Sequence, residues 1–261
     1  LCWIEIMLPI VNLGPMAIQL PGLIILLGIW LGLTMAERFS EKNGVASNNL
    51  YNLVFIAMVG GVIGARLSYL IRYPEFFLEN PSSIISLNAN LFDPVGGFAT
   101  GLILATIYIS RKRLPLWAVL DSLTPFLAVM AVALGLSHLS SGNAYGMESD
   151  VLWSIELWGA RRHPTQIYET GFAVLILIIL WPGWSFWKNK PSGLYFLTFT
   201  GLSAASRILN ETFRADSALL PGGIRIAQLV AWLILGICLY GIYRLNLSPT
   251  DPHGTQKSPD L

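Results

Sequence analysis

About seven long apolar runs dominate this chain, and they leave few folds open to it. They lie near Pro21–Phe39, Tyr51–Ile71, Pro94–Ser110, Leu116–Leu139, Ile167–Trp181, Gly193–Leu209 and Ile224–Tyr243. Runs of this length suit helices that cross a hydrocarbon layer about 30 Å thick, where every backbone N–H and C=O has to be paired within its own segment. Composition agrees: 54% of the residues are hydrophobic and 12% charged, against about 25% charged in an average soluble domain. The expectation is an all-α, polytopic membrane protein of about seven transmembrane helices. Ile10–Gln19, apolar but broken by Asn12, Gly14 and Pro15, is expected to lie on the surface ahead of the first helix.

The connecting segments orient the bundle. Arg38 with Lys42, Arg111-Lys112-Arg113, Lys188 with Lys190, and Arg244 with Lys257 fall in alternate loops and the tail. Cytoplasmic loops hold the excess of Lys and Arg. The N-terminus is therefore expected outside and the C-terminus in the cytoplasm. Residues 1–245 read as one transmembrane domain and the polar, Pro-rich residues 246–261 as a disordered cytoplasmic tail. A net charge of +1 gives no reason to expect nucleic acid as a partner. Cys2 and Cys238 do not make a disulfide framework, and the three histidines lack metal-ligand spacing. With no nucleotide-binding motif either, no cofactor is expected.

Against this apolar background the polar residues stand out. The densest cluster, Arg161-Arg162-His163-Pro164-Thr165-Gln166-Ile167-Tyr168-Glu169, stands at the start of the fifth run. Pro164 suits the first turn of a helix, which places Gln166 and Glu169 one turn apart on one face. Arg66 lies inside the second run, and Arg207 near the outer end of the sixth, four residues before Glu211, with Arg214 after it. An ionised group in a span is costly unless it pairs or faces water, so these residues point to a shared polar chamber. Asp121, His138 and Gln228 add polar groups to other runs. Arginine's planar fork suits phosphate, which suggests a lateral pocket for an anionic phospholipid. Gly60-Gly61, Gly64 and Gly96-Gly97 are read as close helix packing.

His163-Pro164-Thr165-Gln166-Ile167-Tyr168-Glu169 resembles the H-P-S-Q-L-Y-E signature of the prolipoprotein diacylglyceryl transferase family. Gly64-Ala65-Arg66-Leu67 resembles its G-A-R-L element, and Asp121 with Pro125 its D-x-x-x-P element. Arg207 through Asp216 is similar to R-F-x-x-E-F-x-R-x-x-D, one residue shorter, and Ile224-Arg225-Ile226-Ala227-Gln228 to I-S-M-G-Q. The resemblance implies a seven-helix, multi-pass enzyme of the bacterial inner membrane. It would transfer diacylglyceryl from phosphatidylglycerol to the lipobox cysteine of a prolipoprotein and release glycerol phosphate. Site residues expected on this basis are His138, Arg207 and Glu211 for catalysis, and Arg66, Arg214, His163, Gln166, Tyr168, Glu169, Asn143 and Gln228 for phospholipid.

The chain departs from the family pattern G-R-x-G-N-F-x-N-x-E-x-x-G. Over Leu134–Gly146, Gly135 stands in place of the arginine, His138 and Ser141 in place of the asparagines, and Asn143 in place of the glutamate. Only the closing Gly146 is kept. Val95 replaces the histidine of H-G-G, Pro21 a tyrosine, and Ser203 another tyrosine one turn before Arg207. Two readings follow. In one, the protein is a divergent transferase in which His138 serves as general base. In the other, it is a non-catalytic relative that binds phospholipid or a partner membrane protein, and His138 is a helix-end residue hydrogen-bonded to Ser141 or the backbone.

Overall fold

Each apolar run folds as a helix, which pairs its backbone internally and turns apolar side chains outward on most faces. The computed structural model describes residues 10–13, 16–86, 88, 91–187 and 190–247. In chain order the elements are β1 (Ile10–Leu13), β2 (Met16–Gln19), α1 (Leu20–Ser40), α2 (Ser47–Arg72), α3 (Pro74–Glu79), α4 (Pro94–Arg111), α5 (Leu116–Ser141), β3 (Ile155–Leu157), β4 (Ala160–Arg162), α6 (Thr165–Ile179), α7 (Leu194–Glu211) and α8 (Ile226–Leu247). The helices, all but the short α3, coincide with the expected runs to within about a turn.

Among the described residues, four helical segments are long and apolar enough to cross a membrane: Leu20–Asn43, Ser47–Arg72, Leu116–Ser141 and Ile226–Leu247. Leu26, Trp30, Phe55, Val62, Trp232 and Leu233 on three of them are each more than half exposed, a surface suited to lipid rather than water. The bulk of the fold is helical, as expected, but two antiparallel hairpins, β1–β2 and β3–β4, were not anticipated. Strands of three or four residues are too short to show a period of two. The first hairpin occupies the expected surface segment. Helix α8 continues to Leu247, past the expected end of the membrane domain, and the tail from 248 lies outside the described residues.

Contacts gather into two compact units, Leu33–Leu123 and Leu1–Gly32 with Thr124–Leu261. In the Leu33–Leu123 unit, α2 and α4 pack along a glycine seam. A Cβ at Gly64 would stand 2.3 Å from Thr100 Cβ, and one at Gly97 2.9 Å from the Gly61 carbonyl, so the approach depends on glycine. Asp93 caps α4 by accepting from the Val95 N–H at 3.1 Å. The Ser68 hydroxyl donates to its other oxygen at 2.7 Å. That hydrogen bond, with the Val95 and Gly96 N–H groups and Arg72, holds the carboxyl below its usual pKa despite burial.

In the other unit, α6 begins immediately after the predicted proline, with Pro164 in the capping position. Its C-terminal carbonyls are closed by aromatic side chains. Trp184 donates to Ile178 O at 2.9 Å, Trp187 to Ile179 O at 3.2 Å, and the Tyr195 hydroxyl to Leu180 O. Pro182 stands just beyond, where the helix cannot continue.

Candidate functional site

The polar residues of the fifth run fix the turn that follows α5. Thr165 and Gln166 are both buried; the Thr165 hydroxyl donates to Ala144 O at 2.6 Å and Gln166 Nε2 to Asn143 O at 2.9 Å. One helical turn later, Glu169 reaches α5 itself. His138 Nδ1 donates to Glu169 Oε2 at 2.8 Å. A carboxylate oxygen can only accept, so this contact puts a ring proton on Nδ1, and in the neutral imidazole the lone pair is then on Nε2. A base oriented by a carboxylate is the geometry that general-base catalysis calls for.

The segment after α5 is then tied to the end of α7. Met147 N–H donates to Phe213 O at 2.8 Å and Ala215 N–H to Tyr145 O at 3.0 Å. Gly146 pairs with Arg214 and Glu148 with Arg162 as isolated bridges. A Cβ at Gly146 would lie 2.3 Å from His163 O, so this closing glycine of the signature sits where no side chain fits. His163, Tyr168 and Phe213 form a ring cluster with centroids 5.0 to 6.3 Å apart.

At the end of α7, Arg207 Nε lies 3.0 Å from Glu211 Oε2, one turn apart on the helix. Glu211 is only 1% exposed. Its Oε1 accepts from the Ser217 hydroxyl, whereas Oε2 receives no aligned hydrogen bond from any described residue, so the arginine contact is ionic. Arg214 binds Asp216 with two 2.8 Å hydrogen bonds. Burial opposes the charge on Arg214, but Asp216 and the fields of Glu211 and Glu169 outweigh it and raise its pKa above the ordinary value.

Three cavities meet at α7. The smallest, about 150 Å3, is lined by Glu169, Ser203, Ser206, Arg207 and Asn210 among others. A charged one of about 570 Å3 has Ser203, Arg207, Glu211, Arg214 and Asp216 in its wall. The third, about 610 Å3, is an aromatic groove holding Trp153, His163, Tyr168 and Phe213. Arg207 and Ser203 belong to the first two, Asn210 and Phe172 to the first and third. The small serine standing where the family has a tyrosine thus borders open space. Asn210 was not anticipated from the sequence. It is 3% exposed, and its Oδ1 is buried without a hydrogen-bond partner among the described residues. An asparagine at the end of an apolar helix was the available signal.

The structure brings together His138, Glu169, Gln166, Asn143, His163, Tyr168, Arg207, Glu211 and Arg214 in one unit. Gln228 belongs there too, but its amide joins α8 to α7 by donating to Ile208 O and Thr212 Oγ1, both at 3.1 Å. The Asn143 side chain is exposed, and it is the backbone carbonyl of this residue that holds Gln166. Arg66 belongs to the Leu33–Leu123 unit. Its guanidinium donates to the carbonyls of Ile84 at 3.1 to 3.2 Å, Leu91 at 2.8 Å and Ser83, between the rings of Phe77 and Phe92. At Gly135 a Cβ would meet Thr170 Oγ1 at 2.6 Å and Thr170 backbone atoms at 3.1 Å, so α6 closes the space where the family arginine stands.

A family model described as prolipoprotein diacylglyceryl transferase matches residues 9–244. The phosphatidylglycerol–prolipoprotein diacylglyceryl transferase of Bordetella parapertussis is 29% identical over 242 residues, covering 88% of this chain and 90% of that protein. The protein of the same description from Staphylococcus aureus strain Newman is 28% identical over 258 residues, covering 91% of this chain and 89% of its own length.

Proposed function

Because the chain belongs to the prolipoprotein diacylglyceryl transferase family, we propose that it transfers diacylglyceryl from phosphatidylglycerol to a prolipoprotein cysteine, with His138 as base and Arg207 as phosphate-holding cation. The observation that carries this reading is that Glu169, which accepts the hydrogen bond from His138, lines one cavity together with Arg207. Nε2 of His138 takes the thiol proton while Glu169 stabilises the imidazolium. The thiolate sulfur attacks the glycerol carbon bonded to the phosphate oxygen; the S–C bond forms and the C–O bond breaks. Glycerol phosphate leaves with the electron pair, its charge met by Arg207, and the imidazolium returns the proton to it.

Glu211 and Ser217 hold Arg207 in place, and Arg214, paired with Asp216, completes the wall of the charged cavity. Gln166 and Asn143 fix the turn next to His138, Gln228 fixes α8, and His163 with Tyr168 builds the aromatic wall. Arg66 holds the segment between α3 and α4. Seven helices, α1, α2 and α4 to α8, cross the bacterial plasma membrane with the N-terminus outside and the C-terminus in the cytoplasm, which the alternation of Lys and Arg among the loops supports. Reporter fusions in the α4–α5 and α6–α7 loops test this: both are expected to report the cytoplasm.

A non-catalytic, lipid-binding relative is the second reading. It is favoured by the contact at Gly135, which leaves no room for the family arginine. Cells depleted of their own transferase separate the two. Diacylglyceryl-modified lipoprotein on expression of this chain, lost with His138→Ala, supports catalysis. Good membrane expression with no modified product leaves the binding reading.

A further inference from the structure

The proposed reaction needs an anionic lipid and a thiol peptide at the same time, and the cavities around α7 differ in a way that separates them. The cavity of Arg207, Glu211, Arg214 and Asp216 is charged, whereas the groove along α6 and α7 has no Lys, Arg, Asp or Glu among the described residues that line it. Resting on that reading, we infer that this neutral groove seats the apolar membrane segment of the prolipoprotein acceptor adjoining its cysteine.

The groove has the form a helix needs. Ile167, Gly171 and Leu175 line it at intervals of four, one stripe on α6. A Cβ at Gly171 would meet nothing within 4 Å, so the stripe is hollow at its centre and admits a close partner. Leu175 and Leu209 are 52% and 56% exposed. Toward one end stands Trp153, whose indole N–H is already committed to the Tyr168 hydroxyl at 2.6 Å, which leaves the ring face as the surface on offer.

Asn210 decides between a peptide and an acyl chain. Its unpartnered Oδ1 is buried where the groove and the reaction cavity share a wall. A buried acceptor calls for a donor. A peptide N–H just beyond the end of the helical segment, next to the cysteine, supplies one, and a hydrocarbon tail does not. A peptide held there carries its cysteine past Phe172 and Asn210 toward the cavity of Glu169 and Arg207.

Photo-crosslinking in membranes tests this, with a benzophenone side chain placed in turn at positions 175, 209 and 102 of the full chain. The probe partner is a full-length prolipoprotein whose acceptor cysteine is replaced by alanine, so capture does not depend on turnover. Capture is expected at 175 and 209 and not at Leu102, an exposed apolar residue of α4. Gly171→Trp is expected to lower capture about tenfold and to raise the KM for prolipoprotein while leaving that for phosphatidylglycerol unchanged. Equal capture at 102, or adducts with phospholipid alone, overturns the assignment. Capture at 175 by a chain that forms no product sinks the transferase reading and leaves the dock standing; product without capture does the reverse.

Discussion

Arg66 and Arg207 both stand on apolar helices, yet their surroundings give them opposite characters. Arg66 is half-buried and tied down: its donors go to three backbone carbonyls of the segment between α3 and α4, and the Phe77 and Phe92 rings lie within 5.5 Å of its guanidinium carbon. Arg207 makes an ionic contact with a buried carboxylate and lines two cavities. An arginine in an apolar helix marks a site where donors remain for a ligand. Where the backbone has consumed them, it marks a staple.

The sharpest way to break this contrast is to replace each arginine by lysine, which keeps the charge and removes the fork. Arg207→Lys is expected to lower turnover about a hundredfold, with Glu211 still paired and the fold retained, as read by thiol-modification assays on purified protein. Arg66→Lys is expected to act on stability, by about 1 to 3 kcal/mol for the carbonyls left without donors, with turnover per folded molecule within about tenfold of the parent. The reverse pattern would exchange the roles.

Asn210→Leu sharpens the description of the Arg207 side. It removes the orphaned acceptor while keeping the number and branching of the side-chain heavy atoms, so the KM for prolipoprotein is expected to rise about tenfold with kcat little changed. Gly135→Ala probes the packing between α5 and α6 and is expected to destabilise by about 1 to 3 kcal/mol, read by thermal unfolding in detergent. The smallest effect belongs to the Arg66 side. Because the Asp93 carboxyl is held below its usual pKa, its contribution is present above the ordinary carboxylate pKa and fades as pH falls through the lowered one. Asp93→Asn is expected to flatten the loss of stability on acidification below about pH 4.

Helix positions were legible because apolar length alone fixes them, and Pro164, expected within the first turn of α6, stands one residue ahead of it as its cap. The placement of Gln166 and Glu169 on one face was legible for the same reason. What Glu169 meets was not. His138 lies on a different helix, 31 residues away, and only the packing of α5 on α6 brings them into contact. The β3–β4 hairpin was hidden for a related reason. Its turn places Trp158 at φ 55, a conformation unusual for a bulky residue, and the Trp158 indole N–H donates to Gly142 O at 3.1 Å. Arg66 was read from the cost of charge in a span, which says that a partner is needed without saying that the partner is backbone.

The contact between Gly135 and Thr170 works as a lock on the spacing of two helices. With α6 seated against that glycine, any larger side chain at 135 meets a wall unless the helix retreats. The imidazole three residues further along α5 reaches Glu169 across the same seam, so its hydrogen bond lasts only while the lock stays shut.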